Sequence, residues 1–272
     1  QGQLWDRRQM DGVLGKLWEM SSRQELLVVV FVHGWKHSAS PGDGNITTFR
    51  QVLSGLSQAE KHIAGAVGQP ARQVVGIYLG WRGGSMTVPY LNNLTFWDRK
   101  NTAQKVGHGG VTEVLSRLED IKAVKDYTVC KEQHSRGKGD DIPCISNTRL
   151  VVVGHSFGGA VVHTALAQIL ESRFVQTFGP PGQKSDVRGF GNLVVLINPA
   201  FEANLFTPLS DMAVERGTYF KTQEPVLLVL TSEADGATKT AFPIGRWLST
   251  FFEKSHDRER MNAVTNQTET ID

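Results

Sequence analysis

Residues 149–165, RLVVVGHSFGGAVVHTA, hold the clearest chemistry in the chain, because Gly154, His155, Ser156, Phe157 and Gly158 form a Gly-x-Ser-x-Gly pattern. A serine on a sharp strand-to-helix turn presents its hydroxyl at the end of a sheet, and such a turn admits no side chain two positions to either side. Gly154 and Gly158 meet that requirement, Val151, Val152 and Val153 supply the strand, and Gly159 with Ala160 lets the following helix pack close. The pattern alone arises by chance in unrelated loops; the strand before it and the helix after it make Ser156 a nucleophile rather than a structural serine. A serine hydroxyl attacks poorly at its free pKa. It needs an imidazole to take its proton and a carboxylate to hold that imidazole in the right tautomer. Six histidines, His33, His37, His62, His108, His134 and His155, precede Ser156, and two, His163 and His256, follow it.

Those groups must be positioned by the elements around them. Residues 5–20 place Met10, Val13, Leu14, Leu17 and Trp18 at three-and-four spacing, which predicts an amphipathic helix on one sheet face. LLVVVFVHGW, 26–35, is continuous in apolar strand formers, as a parallel strand buried on both faces should be, and it ends in His33, Gly34 and Trp35. A polar loop follows over 36–45, then a helix capped by Thr47 or Thr48 that carries Phe49, Val52, Leu53, Leu56 and Ile63. QVVGIYLGW, 73–81, is the next strand. The aromatic-rich segment after it, with Tyr90, Leu91, Leu94, Phe96 and Trp97, either plugs the core or walls an apolar pocket.

Helical periodicity returns over 106–125 through Val111, Val114, Leu115, Leu118 and Ile121, with Gly107, Gly109 and Gly110 marking a close approach at its start. Residues 126–148 lose that period and read as a flexible insertion. Strands at 193–203 and 226–230 complete the alternation, with an irregular stretch to Gln223 between them that shapes the entrance to the site. After the last strand comes a helix through Trp247, Leu248, Phe251 and Phe252, and no apolar run between 255 and 272 offers a further strand. Strands alternating with helices predict an α/β fold: a mostly parallel central sheet with helices on both faces, incomplete at both ends, in a single domain over 1–272.

Composition narrows the partners. A net charge of +2 is too mild for a nucleic-acid binder, and no basic run is interleaved with aromatics. The longest apolar run, 26–32, is far short of the roughly 20 residues that a membrane span needs. The chain opens on Gln1, so its start is processed, trimmed or internal to a longer protein, and compartment and oligomeric state stay open. Cys130 and Cys144 share one polar segment, where they either close a small surface loop as a disulfide or remain free thiols; two cysteines alone do not make a metal site.

The chain resembles the α/β-hydrolases of serine esterase or lipase type over residues 26 to about 254, on FVHGW, GHSFGG and the acidic loop after the last strand. That resemblance implies hydrolysis of a small-molecule or lipid ester through an acyl-serine intermediate, with no metal or organic cofactor. It also implies an oxyanion hole made by the backbone N–H groups of Trp35 and Phe157. The acid of the triad falls on Asp235, with Glu233 and Glu202 as alternatives. The order serine, acid, histidine leaves His256 alone, yet its setting, EKSHDRERM, looks like the polar end of a helix, and the expected histidine follows one more strand. Either His256 serves as base, or the chain is a fragment whose catalytic histidine lies beyond Asp272. The competing reading is a hydrolase-like binding module without catalysis. None of these motifs fixes the acyl chain, the alcohol, or the choice among ester, thioester, amide and lipid.

Overall fold

The computed structural model describes residues 2–35, 37–81, 101–135, 145–177, 186–216, 219–232, 258–261 and 268–271. Along the chain run α1 (Arg7–Arg23), β1 (Leu26–Val32), α2 (Gly44–Val67), β2 (Gln73–Leu79), α3 (Thr112–Ser135), β3 (Arg149–His155), α4 (Phe157–Gln176), β4 (Leu193–Ile197), α5 (Thr207–Arg216) and β5 (Leu227–Leu230). Two short strands follow, β6 (Arg258–Met261) and β7 (Thr268–Ile271), paired antiparallel with each other.

Strands β1 to β5 form one parallel sheet in the order β2-β1-β3-β4-β5. Period-2 geometry divides β1 between two cores. Leu26, Val28, Val30 and Val32 face α1, α3 and α4, where they meet Leu14, Leu17, Leu115, Leu118, Val161 and Leu166. Leu27 and Val29 face α2 and meet Phe49, with Phe31, Leu53 and Leu56 beside them. A strand covered on both faces needs no polar alternation, which is why β1 reads as an unbroken apolar run. The α/β class with helices on both faces is therefore the observed architecture.

Helix α4 lies close to the sheet. A Cβ on Gly158 would stand 2.1 Å from the Val32 carbonyl oxygen and 2.6 Å from that of His33, so the helix start and the end of β1 meet backbone to backbone. The far end of α4 is fixed by Arg173, whose guanidinium donates to both oxygens of Glu119 at 2.6 and 2.7 Å and to the Gly189 carbonyl at 2.7 Å. Glu119 also accepts from the Gly191 amide at 2.8 Å, which joins α3, α4 and the approach to β4.

Several details differ from the sequence-based expectations. Val13 and Trp18 of α1, and Val52 and Ile63 of α2, are exposed; the buried stripes are Met10, Leu14 and Leu17 on α1 and Phe49 with Ala64 on α2. The α2 cap is Asp43, not Thr47 or Thr48: its carboxylate accepts from the Asn45 amide at 2.9 Å. Helix α3 continues through 126–135, the first part of the expected insertion. Its apolar period ends there because Val124 and Tyr127 face solvent, and the helix is tied instead by Lys125 to the Ser21 carbonyl and by Asp126 to Ser146. The glycines before α3 do mark a close approach, as a π-turn over Gly107–Val111 in which a Cβ on Gly107 would lie 2.7 Å from the Val161 carbonyl.

The stretch expected to be irregular before Gln223 contains α5, which packs on α4. The tail, expected to hold no strand, contains β6 and β7. Cys130 is disulfide-bonded, and Cys144 is the only other cysteine of the chain. Among the described residues no helix is long and apolar enough to cross a membrane. The aromatic segment with Tyr90 and Phe96, and the helix expected through Trp247 and Phe251, lie outside the described residues.

Candidate active site

The strand order reverses direction between β1, whose next strand β2 lies on one side, and β3, which lies on the other. In open α/β sheets the crevice beyond the carboxyl ends of strands at such a reversal is where ligands bind. Ser156 and the segment His33–Gly34–Trp35 both leave the sheet there.

Ser156 follows β3 and precedes α4 with φ +54° and ψ −121°, a conformation that L side chains rarely adopt. Three backbone bonds hold it. Its amide donates to the Ile197 carbonyl at 2.9 Å, and its carbonyl accepts from Ala160 at 3.2 Å and Ala200 at 3.0 Å. The serine is half-buried.

The turn after β1 closes against this serine. A Cβ on Gly34 would lie 3.0 Å from the Ser156 Cβ and 3.1 Å from the His155 carbonyl oxygen, so a larger residue at 34 crowds the serine. Trp35 then meets Phe157 edge to face, with ring centroids 6.4 Å apart. Phe157 is fully buried at the first turn of α4. The two residues expected to supply backbone donors thus flank Ser156 and touch each other, and the helix N-terminus adds a partial positive charge in the same place.

His33 holds the base of that turn. Its Nε2 accepts from the Trp81 amide at 3.1 Å, which leaves the proton on Nδ1, where it donates to the Gly34 carbonyl at 2.8 Å. The Trp81 indole donates to the His33 carbonyl at 2.7 Å, and the His33 ring stacks between Tyr78 and Trp81. Burial pushes its pKa below the usual histidine value. His33 is therefore a neutral structural histidine with both ring nitrogens engaged.

His163, two turns along α4, is buried in the core. Its ring stacks on Phe201 with centroids 4.3 Å apart, and burial pushes its pKa down to about 4. Its Nε2 is buried with no hydrogen-bond partner among the described residues. His62, His108 and His134 are exposed on helices or the π-turn.

Beyond Trp35 the loop is organised by Asp43, which lies before the cap expected at Thr47 or Thr48. Its carboxylate accepts from His37 Nδ1 at 3.0 Å and from the amides of Ser38 and Asn45 at 2.8 and 2.9 Å. Burial pushes the Asp43 pKa up, but these donors more than offset it and hold it below the usual carboxylate range. Burial and the nearby Asp43 charge push the Tyr78 phenol up to about 12, so it stays protonated. The sequence did carry a signal for Asp43, in an Asp-Gly-Asn run directly before a periodic segment.

Of the acidic candidates, Asp235 and Glu233 lie outside the described residues, as does His256. The path toward Asp235 is fixed as far as Ser232, whose amide donates to Asn198 Oδ1 at 2.7 Å. Asn198 itself ends β4 at φ +43° and donates its amide to the Leu230 carbonyl at 2.8 Å. Glu202 begins a short 3-10 turn, Ala203–Leu205, after β4. Among the described residues no cluster of His, Cys, Asp and Glu could hold a metal ion.

Comparison of the chain with protein-family models, with curated proteins and with solved structures finds no match.

Proposed function

We propose that this protein is a serine hydrolase of the α/β-hydrolase type that cleaves carboxylic esters. The observation that carries the reading is the backbone of Ser156, at φ +54° and ψ −121° with the Gly34 turn against its Cβ. Such a conformation costs on the order of 1–3 kcal/mol and persists where surrounding structure enforces it, most often at active sites.

On this reading Ser156 Oγ adds to the acyl carbon as its proton passes to an imidazole, and the Trp35 and Phe157 amides receive the charge that develops on the carbonyl oxygen. Collapse breaks the bond to the alcohol oxygen, which leaves with that proton. Water then repeats the sequence on the acyl-serine and frees the acid. Asp235 orients the imidazole, and His256 is the histidine of this sequence assigned as base, since His163 is sealed against Phe201.

A fluorophosphonate probe tests the proposal, because only an activated serine reacts with it quickly. The purified chain should be labelled at Ser156 and should hydrolyse short-chain p-nitrophenyl esters. Ser156→Ala should lose labelling and on the order of 10⁶ in turnover. A folded parent that neither labels nor hydrolyses would leave a hydrolase-like binding module and end the enzyme reading.

A further inference from the structure

We infer that Asp43 is a positioning residue for the segment that follows Trp35, acting separately from its role as the cap of α2. The two carboxylate oxygens divide the work. Oδ1 accepts from the Asn45 amide at 2.9 Å, which is all that a helix cap requires, and from His37 Nδ1 at 3.0 Å. Oδ2 contributes nothing to the helix: it accepts from the Ser38 amide at 2.8 Å and the Ser38 hydroxyl at 3.4 Å. Three of the four bonds therefore go to residues 37 and 38, directly after the Trp35 turn. A serine, threonine or asparagine would cap α2 as well, but each has a single acceptor oxygen and lacks the second one that holds Ser38.

The rest of the loop is built to receive that hold. The Asp43 amide donates back to the Ser40 carbonyl at 2.9 Å, closing residues 40–43 into a turn. Ala39 sits over Gly80 at the end of β2, where any Cβ on residue 80 would come within 2.4 Å of the alanine methyl. At the near end, His33 bonds both the Trp81 amide and the Gly34 carbonyl. The Trp35 turn is thus fixed on one side through β2 and on the other through Asp43. The catalytic consequence rests on the proposed hydrolase reading: the Trp35 amide works as an oxyanion donor only if the loop holds its direction, and a misplacement of about 1 Å costs about 10²-fold in rate.

Asp43→Asn separates the two roles, since an asparagine Oδ1 still caps α2 while its Nδ2 cannot accept from Ser38. Two measurements on the full chain test the inference independently. In hydrogen exchange, the amides around 35–38 should exchange at least about tenfold faster in Asp43→Asn, while α2 amides from Phe49 to Ala64 keep their protection. Unchanged exchange at 35–38, or equal loss of protection along α2, would overturn the inference whatever the protein catalyses. In ester hydrolysis, kcat should fall on the order of 10²-fold with KM within about twofold, and affinity for a boronic-acid transition-state analogue should fall in parallel with kcat. If the parent shows no Ser156-dependent hydrolysis, the functional reading fails while the exchange result still decides the loop. If the parent is active and Asp43→Asn loosens 35–38 without lowering kcat, the positioning role is refuted and the hydrolase reading stands.

Discussion

Ser156 is held by its neighbours in a conformation it would not choose. Its φ of +54° with ψ of −121° mirrors the extended region, where glycine is comfortable and a Cβ is crowded. The bonds to Ile197 and Ala200 and the close approach of Gly34 enforce it, so the strain is set by β4 and β1 rather than by the Ser156 side chain. Replacing the side chain alone should therefore relieve it. Ser156→Gly is expected to unfold at a urea midpoint above the parent's, by a stability gain of about 1 kcal/mol, while losing hydrolysis as fully as Ser156→Ala. Ser156→Ala keeps the Cβ and should stay near the parent's stability. Equal stability for all three proteins would mean that the turn relaxes freely and that its geometry carries no functional argument.

At the scale of elements, the junction of β1 with α4 does the positioning. Gly158 allows the helix start to lie on the Val32 and His33 carbonyls, which brings the Phe157 amide beside the turn that carries Trp35. Because the atoms facing Gly158 are backbone, they cannot swing aside. Gly158→Ala should destabilise the fold by about 3 kcal/mol and lower soluble yield, whereas Gly12→Ala on α1, where nothing lies within 4 Å, should be neutral or slightly stabilising. Comparable denaturation midpoints for the two variants would contradict this junction. Much of this level was legible in sequence, since strands buried on both faces read as apolar runs and the glycines around Ser156 announce the turn. Other features were hidden for identifiable reasons. The cap at Asp43 precedes the first buried position of α2, Phe49, by more than a turn, so the apolar period over Phe49, Val52 and Leu53 points to Thr47 and Thr48 instead. The last turns of α3 have no apolar stripe because they leave the core and hold through Lys125 and Asp126. Asp43's grip on His37 and Ser38 depends on a loop folding back on itself, which no spacing rule encodes.

For the whole molecule, the groups buried in the α4 face of the sheet set how stability responds to acid. His163 packs there against Phe201, and burial holds its pKa at about 4, against an ordinary histidine value of 6.5. The folded state thus refuses a proton that the unfolded chain accepts. Linkage fixes the sign: stability is fully retained above pH 6.5, falls as pH drops toward 4, and levels off below that, where both states are protonated. The total loss from this residue is about 3 kcal/mol. Carboxylates such as Asp43, held below their ordinary range, add acid sensitivity of their own, but at lower pH, where the carboxylate itself becomes protonated. The histidine contribution is isolated by comparing the parent with His163→Phe, which keeps a ring against Phe201 and removes the titration. Urea unfolding at pH 7.5 and pH 4.5 should show the variant gaining about 2–3 kcal/mol on the parent at the lower pH. Its ester hydrolysis at neutral pH should stay within a few-fold of the parent's, since a histidine sealed in the core takes no part at Ser156. Parallel pH dependence in the two proteins would show that His163 is charged when folded, and a hydrolysis loss on the order of 10⁴-fold would make His163 the base in place of His256.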